Sequence, residues 1–480
     1  MTRKILLFAL LIAGLGASAQ TGYQIEVTLK PFTNQYIYLG HYFGKTYPII
    51  DSVKLDAQSK GTFKGSKKLP GGIYLIGYPN KAGFFEILID KEQRFGIQAD
   101  TATIAQTIGF TNSTDNVDFL KYQQTMRDLG IRIRNLQLQL KAGSAAADSI
   151  RIREQIEFTD RSISAYRDNI IQTKGTTLLG ALMQCMREPV LPENLKRPTN
   201  ATDSLLAYRY FKDRYWEGTN FWDGRLAYTT FFEEKLDRYF KQLVAPDPDS
   251  VIREIDKMLA FAQADPEMNR FLLIKFINRY LNQQFMWEDA VFVHLYEKYV
   301  SNKTYPWLDA KGNKLVQDRA YSLMANILGT PAAEVELPDS TGQVRPLYAL
   351  KTDYTLVVFW DPTCGHCKET LPRIDSIYRA KWSAQGVGLY AISKETEGTR
   401  KQWLDFIQQN QLIGWTHVYY SRQSEKQRID AGTPGYSQLF DIQTFPTLYL
   451  LDREKRIVAK KLTFEQMDEI LELRRAERKQ

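Results

Sequence analysis

The sequence predicts three folded regions in one 480-residue chain: an N-terminal antiparallel β domain, an all-helical middle domain and a C-terminal α/β domain. Three observations predict them. Short runs that alternate with period two between Gly, Pro and Asn turns extend from Tyr23 to about Asp100. Apolar residues at three- and four-residue spacing follow from about Asn116 to Gly329. Strand-like and helical runs then alternate after Pro331. The length agrees, since roughly 100–200 residues per domain gives three or so domains.

Taken in order, the first 20 residues, MTRKILLFALLIAGLGASAQ, join a basic start at Arg3 and Lys4 to a short apolar run and Ala17-Ser18-Ala19. That pattern predicts a signal peptide over residues 1–19, cleaved after Ala19, and export to the periplasm as a soluble protein. The apolar run is short for a membrane span, and no cysteine follows it to carry a lipid anchor. Loss of Arg3 and Lys4 lowers the formal charge from +8 to +6. With no basic block interleaved with aromatics, nucleic acid is not an implied partner.

Residues 20–110 hold the runs YQIEVTLK, QYIYLG, GIYLIGY, FFEILID and RFGIQA, which predict antiparallel strands, most simply a sandwich. No cluster of catalytic residue types falls there, and His41 reads as an ordinary histidine. Residues 111–330 carry helical stretches such as DSIRIREQIEFTDRSISAYRDNIIQ, whose aromatic stripes read as core. Cys185, on an apolar stretch without a cysteine or histidine nearby, reads as a buried free thiol. Residues 331–480 alternate YTLVVFW, VGLYAIS, WTHVYY, PTLYLLD and RIVAKKL with helical runs, which predicts a mainly parallel sheet.

Two of the three cysteines lie in FWDPTCGHCKE, residues 359–369, directly after the strand YTLVVFW and at the start of a helix. A thiol at Cys364 would meet free backbone N–H groups and the positive end of the helix dipole, which favour a thiolate. Cys367 lies one turn further along the same face, close enough to resolve a mixed disulfide and better covered. Cys364 is thus the predicted nucleophile and Cys367 the resolving thiol. His366, beside Gly365 between them, can direct a hydrogen bond or positive charge at the Cys364 thiolate and make the pair more oxidising. No metal is expected, because a zinc site needs four ligands and the remaining candidates are Cys185 and three scattered histidines. A purely structural disulfide across two residues would constrain little.

With a distant TFPT at 444–447, these residues resemble the thioredoxin superfamily, and more closely the periplasmic TlpA/ResA-type thiol-disulfide oxidoreductases in the multidomain form common in Bacteroidetes. The similarity is strong from about Val335 to Leu473. It implies a thioredoxin fold, a redox-active Cys364–Cys367 disulfide as the only redox centre, protein disulfides as substrates and a membrane-bound thiol donor. It also implies a cis-proline at Pro446 facing the pair, and a backbone at Phe445 offered to an extended substrate segment. The sequence departs from its relatives at two places. Val358 and Thr370 stand where relatives carry proton-handling carboxylates, with Glu369 one residue early and His366 as a possible substitute.

The reading is a periplasmic thiol-disulfide oxidoreductase acting as a reductant. The Gly365-His366 dipeptide, shared with protein disulfide isomerase, keeps an isomerase or oxidase as the alternative. A thiol peroxidase fits less well, because its PxxxTxxC spacing is replaced by contiguous Pro362-Thr363-Cys364. The remaining rival is a surface binding module with a passenger redox domain.

Overall fold

The computed structural model describes residues 22–142 and 146–479, so the signal peptide expected over residues 1–19 lies outside the described residues. An N-terminal all-β domain, a helical middle region and a C-terminal α/β domain follow in that order. No described helix is long and apolar enough to cross a membrane.

The first domain contains β1 (Tyr23–Lys30), β2 (Tyr36–His41), β3 (Ile49–Lys54), β4 (Lys60–Gly65), β5 (Gly72–Gly77), β6 (Phe84–Ile89), β7 (Arg94–Asp100) and β8 (Gly109–Thr111), with the short α1 (Ile104–Thr107). They form two four-stranded sheets, ordered β4-β1-β7-β8 and β3-β2-β5-β6. Alternation along β1 buries Tyr23, Ile25, Val27 and Leu29, and these share one core with Ile37, Leu39, Tyr74 and Ile87 of the other sheet. The expected antiparallel order fails at one pair, because β1 and β7 run parallel. The chain visits the other sheet between them, so no hairpin fixes their relative direction.

The helical region contains α2 (Thr114–Lys141), α3 (Ala146–Lys174), α4 (Leu178–Met186), α5 (Ala201–Arg214), α6 (Thr230–Gln242), α7 (Pro248–Phe261), α8 (Pro266–Leu281), α9 (Glu288–Leu295) and α10 (Ala310–Met324). Ser113 caps α2 by accepting from Asn116 N–H. Cys185 is buried as a free thiol, and burial pushes its pKa up to about 11. The chain divides into two compact units. One runs to Leu243 and includes Met258–Leu272, and the other joins Val244–Lys257 to everything from Leu273 onward. Helices α9 and α10 therefore belong to the same unit as the C-terminal domain.

That domain begins with the hairpin β9 (Glu336–Pro338) and β10 (Val344–Pro346). It continues through β11 (Tyr354–Trp360), α11 (Gly365–Ile377), β12 (Val387–Lys394), α12 (Arg400–Gln409), β13 (Thr416–Tyr420), α13 (Arg422–Asp430), α14 (Tyr436–Leu439), β14 (Thr447–Leu451), β15 (Ile457–Lys460) and α15 (Phe464–Lys479). The sheet order is β13-β12-β11-β14-β15. The expected mainly parallel sheet is instead mixed: β11, β12 and β13 are parallel, while β14 and β15 run antiparallel to their neighbours. A short turn joins β14 to β15, and such a turn permits only an antiparallel pair.

Every residue of β11 is buried, as a central strand covered on both faces requires. Leu356, Val358 and Trp360 face α11 and α12, whereas Val357 and Phe359 face the layer of Tyr436 and Phe440. The strand delivers the chain to residues 361–364 at its carboxyl end, where α/β sheets place their sites.

Candidate redox site

Asp361, Pro362 and Thr363 turn the chain from β11 into α11, and Cys364 occupies the N-cap of that helix. Its backbone is extended and its side chain makes no capping bond, so the first-turn amides of α11 have no side-chain acceptor there. A thiolate is the group such an end stabilises. Cys364 is half-buried and its Sγ lies 3.5 Å from the Phe445 carbonyl oxygen.

Cys367, on the first turn of α11, is fully buried among Val358, Trp360, Leu371 and Trp403. Burial pushes its thiol far above the ordinary cysteine range; the adjacent Cys364 and the Asp361 carboxylate push the same way, against a backbone hydrogen bond at Asp361. Both cysteines are free thiols. The structure thus brings together Cys364, Cys367, Phe445 and Pro446, and the Phe445–Pro446 bond is cis.

The remaining predicted positions lie outward. Gly365 and His366 are exposed, and a Cβ at Gly365 would meet nothing within 4 Å. The His366 ring forms no hydrogen bond to any described residue. Glu369 is exposed too, so it does not take the place of the missing carboxylate. Val358 sits in the core beside Cys367. Thr370 lines a groove of about 520 Å³ together with Asp441, Gln443, Thr444, Pro446 and Phe464.

Sequence reasoning missed Asp361. It is buried and accepts from Thr363 N–H at 2.7 Å and Thr396 N–H at 3.2 Å, and both threonine hydroxyls also donate to it. Burial alone would raise its pKa, but these bonds hold it below the usual carboxylate range. Asp361 is therefore a fixed anion beside the pair, with its lone pairs already engaged. The sequence held a signal: Asp-x-Thr ahead of a helix is an Asx-turn pattern, in which the carboxylate accepts from the backbone two residues on.

Among the described residues, no group of three or more His, Cys, Asp or Glu side chains is placed to hold a metal ion.

Residues 352–457 match the family model described as Thioredoxin-like, and residues 173–324 match one described as a domain of unknown function (DUF5106). No curated protein matches the chain. Among solved structures, a domain of a possible thiol-disulfide isomerase from Cytophaga hutchinsonii is 31% identical over 32% of this chain and 95% of that one, with a TM-score of 0.27. A thioredoxin-like protein from Bacteroides caccae is 20% identical over 60% of this chain and 98% of that one, with a TM-score of 0.42. A thiol:disulfide interchange protein from a Bacteroides species is 24% identical over 31% of this chain and 93% of that one, with a TM-score of 0.27.

A five-stranded mixed sheet, a CGHC pair opening the helix after its central strand and the Phe445 carbonyl lying against Cys364 define the class, a thiol-disulfide oxidoreductase. Through its C-terminal domain the chain belongs to the thioredoxin superfamily.

Proposed function

We propose that the protein acts in the periplasm on protein disulfides, as a reductant recharged by a membrane-bound thiol donor. The observation that carries the exchange chemistry is the asymmetry of the pair, an accessible Cys364 at a helix N-cap and a buried Cys367 one turn on. The Cys364 thiolate attacks one sulfur of a substrate disulfide, forming a mixed disulfide and releasing the other substrate sulfur as a thiolate that takes up a proton. The Cys367 thiol loses its proton and attacks Cys364 Sγ, which closes the Cys364–Cys367 disulfide and releases the second substrate thiol. Two electrons thus pass from the pair to the substrate.

Support for the reducing direction comes from the raised Cys367 pKa. A dithiol gains stability by ionising, as in strongly oxidising relatives whose thiols are acidic, and burial withholds that gain at Cys367. Phe445 and Pro446 would offer an extended edge to the substrate backbone. His366 would pull the potential the other way by favouring the thiolate at Cys364, which keeps the isomerase reading as the rival.

The test is an equilibrium redox titration of the pair in defined thiol buffers, read by alkylation and mass, alongside reduction of insulin disulfides. Insulin reduction with a potential near about −270 mV supports the reductant, whereas a value near about −180 to −120 mV supports the isomerase or oxidase. Absence of exchange would refute both.

A further inference from the structure

The segment 441–446 runs into the redox site, since it ends at Phe445 and Pro446. Its first residue, Asp441, has a completely buried side chain and a left-handed backbone with φ of +43°. A non-glycine residue holds that conformation only where its surroundings fix it. The Asp441 carboxylate accepts from Gln443 Nε2 at 2.9 Å and from Lys461 Nζ, both within the C-terminal domain. Its third donor comes from outside that domain: Arg319 Nη1, on α10, at 2.8 Å. Arg319 is itself aimed by the Leu281 carbonyl, 3.3 Å from its Nε, and by the Gln283 side-chain carbonyl at Nη2.

A second link runs in parallel. Lys460, buried at the end of β15, donates to Asp289 at the start of α9 and to Asn326 just after α10, with Asn326 Oδ1 at 2.7 Å. Asn326 Nδ2 in turn donates to the Leu439 carbonyl at 3.2 Å, two residues ahead of Asp441. Asp289 and Arg319, inside the segment matched by the domain of unknown function, and Asn326, two residues beyond its end, therefore grip the C-terminal domain on both sides of the stretch that leads to Pro446.

From this geometry we infer that Arg319 is a positioning residue of the redox site: through Asp441 it holds segment 441–446 in the register that presents Phe445 and Pro446 to a protein substrate. The inference rests on the thiol-disulfide function proposed above. Arg319 touches neither sulfur, so it acts on substrate docking and not on the sulfur chemistry. Lysine keeps the charge but not the guanidinium fork that spans Asp441, Leu281 and Gln283, so it restores only part of the effect. Loss of Arg319 leaves Asp441 its bonds to Lys461 and Gln443, and the Lys460 cluster still fastens α9 and α10, so the domain remains folded.

The test compares the full-length protein with Arg319→Met and Arg319→Lys on two substrates. Insulin needs the docking edge, and 5,5′-dithiobis(2-nitrobenzoate), a small disulfide, does not. The expected result for Arg319→Met is a KM for insulin raised on the order of tenfold, with kcat, the rate on the small disulfide and the equilibrium potential within twofold of wild type. Arg319→Lys should lie between. A merely structural role would lower thermal stability and active fraction without moving KM. An unchanged insulin KM in folded Arg319→Met overturns the inference. Should Arg319→Met not fold, amide hydrogen exchange across residues 441–447 in Arg319→Lys decides: faster exchange than wild type supports the inference, and unchanged protection with unchanged KM overturns it. A wild-type protein inactive on both substrates would instead defeat the dithiol reading, and the inference with it.

Discussion

Residues 361–367 and the helical stretch 283–326 both brace the segment that ends at Pro446, and they differ in what they bring to it. The first supplies sulfur: Cys364 lies against the Phe445 carbonyl, and little else holds it. The second supplies buried charge: Asp289, Arg319 and Asn326 grip Lys460, Asp441 and the Leu439 carbonyl. Reactive groups need access and few commitments, whereas positioning groups need burial and many. Changes in the two regions should therefore separate, one in chemistry and the other in stability and docking.

The largest expected effect lies in the first region. Cys364→Ser should lower insulin reduction by about a thousandfold or more while thermal unfolding shifts by less than about 1 kcal/mol, since a half-buried thiol is exchanged for a near-isosteric hydroxyl. A Cys364→Ser protein that still turns over would break the comparison at its root.

Asp289→Leu should do the reverse. It leaves Lys460 buried beside Asn326 alone, and unpairing a buried charge costs about 3–5 kcal/mol. Lys460 already has a lowered pKa, set by burial against the pull of Asp289, so it can shed its proton and bring the cost towards the lower end. Chemical denaturation should register the loss, with the potential of the surviving folded protein unchanged. A shifted potential would mean that the two regions are coupled after all.

A smaller effect is expected from pH. His417 is held neutral: burial lowers its pKa from 6.5 to about 4, against the pull of the Leu412 carbonyl and the Asp375 charge. Above pH 6.5 both folded and unfolded states carry it uncharged, and its contribution is fully present. As pH falls from about 6.5 to about 4 the unfolded chain takes a proton that the folded chain refuses, so stability should drop by on the order of 2–3 kcal/mol. Denaturation midpoints across that range for wild type and His417→Gln check it, and equal slopes would contradict it.

The smallest effect is expected at His366, which is exposed and forms no hydrogen bond to any described residue. His366→Gln should lower the potential by about 30 mV or less, towards a more reducing value. A larger fall would show that the histidine dominates the pair, and would favour the isomerase reading.

The sequence discloses these regions unequally because one is local and the other is not. CGHC, its strand and its helix lie within about twenty residues, so spacing placed Cys364 and Cys367, while Phe445 and Pro446 followed from the resemblance that CGHC and the contiguous TFPT carry. The alternation of β1 likewise announced its buried face. By contrast, the parallel pairing of β1 with β7 depends on a return from another sheet, and the reversal of β14 against β11 depends on a long return from β13 at the sheet edge. Arg319 looks like any charge on a helix face, because the Asp441 that gives it meaning lies 122 residues away. Asp361 is near at hand in DPT, but its role as an anion beside the buried thiol depends on Thr396, 35 residues further on.

The central claim is that Cys364 attacks and Cys367 resolves. Replacing Cys367 with Ser in the full-length protein, incubating it with insulin and digesting the trapped complex for mass spectrometry tests it most directly. The account predicts a stable mixed disulfide between insulin and Cys364, with Cys185 unmodified. Failure to trap any adduct at Cys364, or an adduct at Cys185 instead, would contradict it.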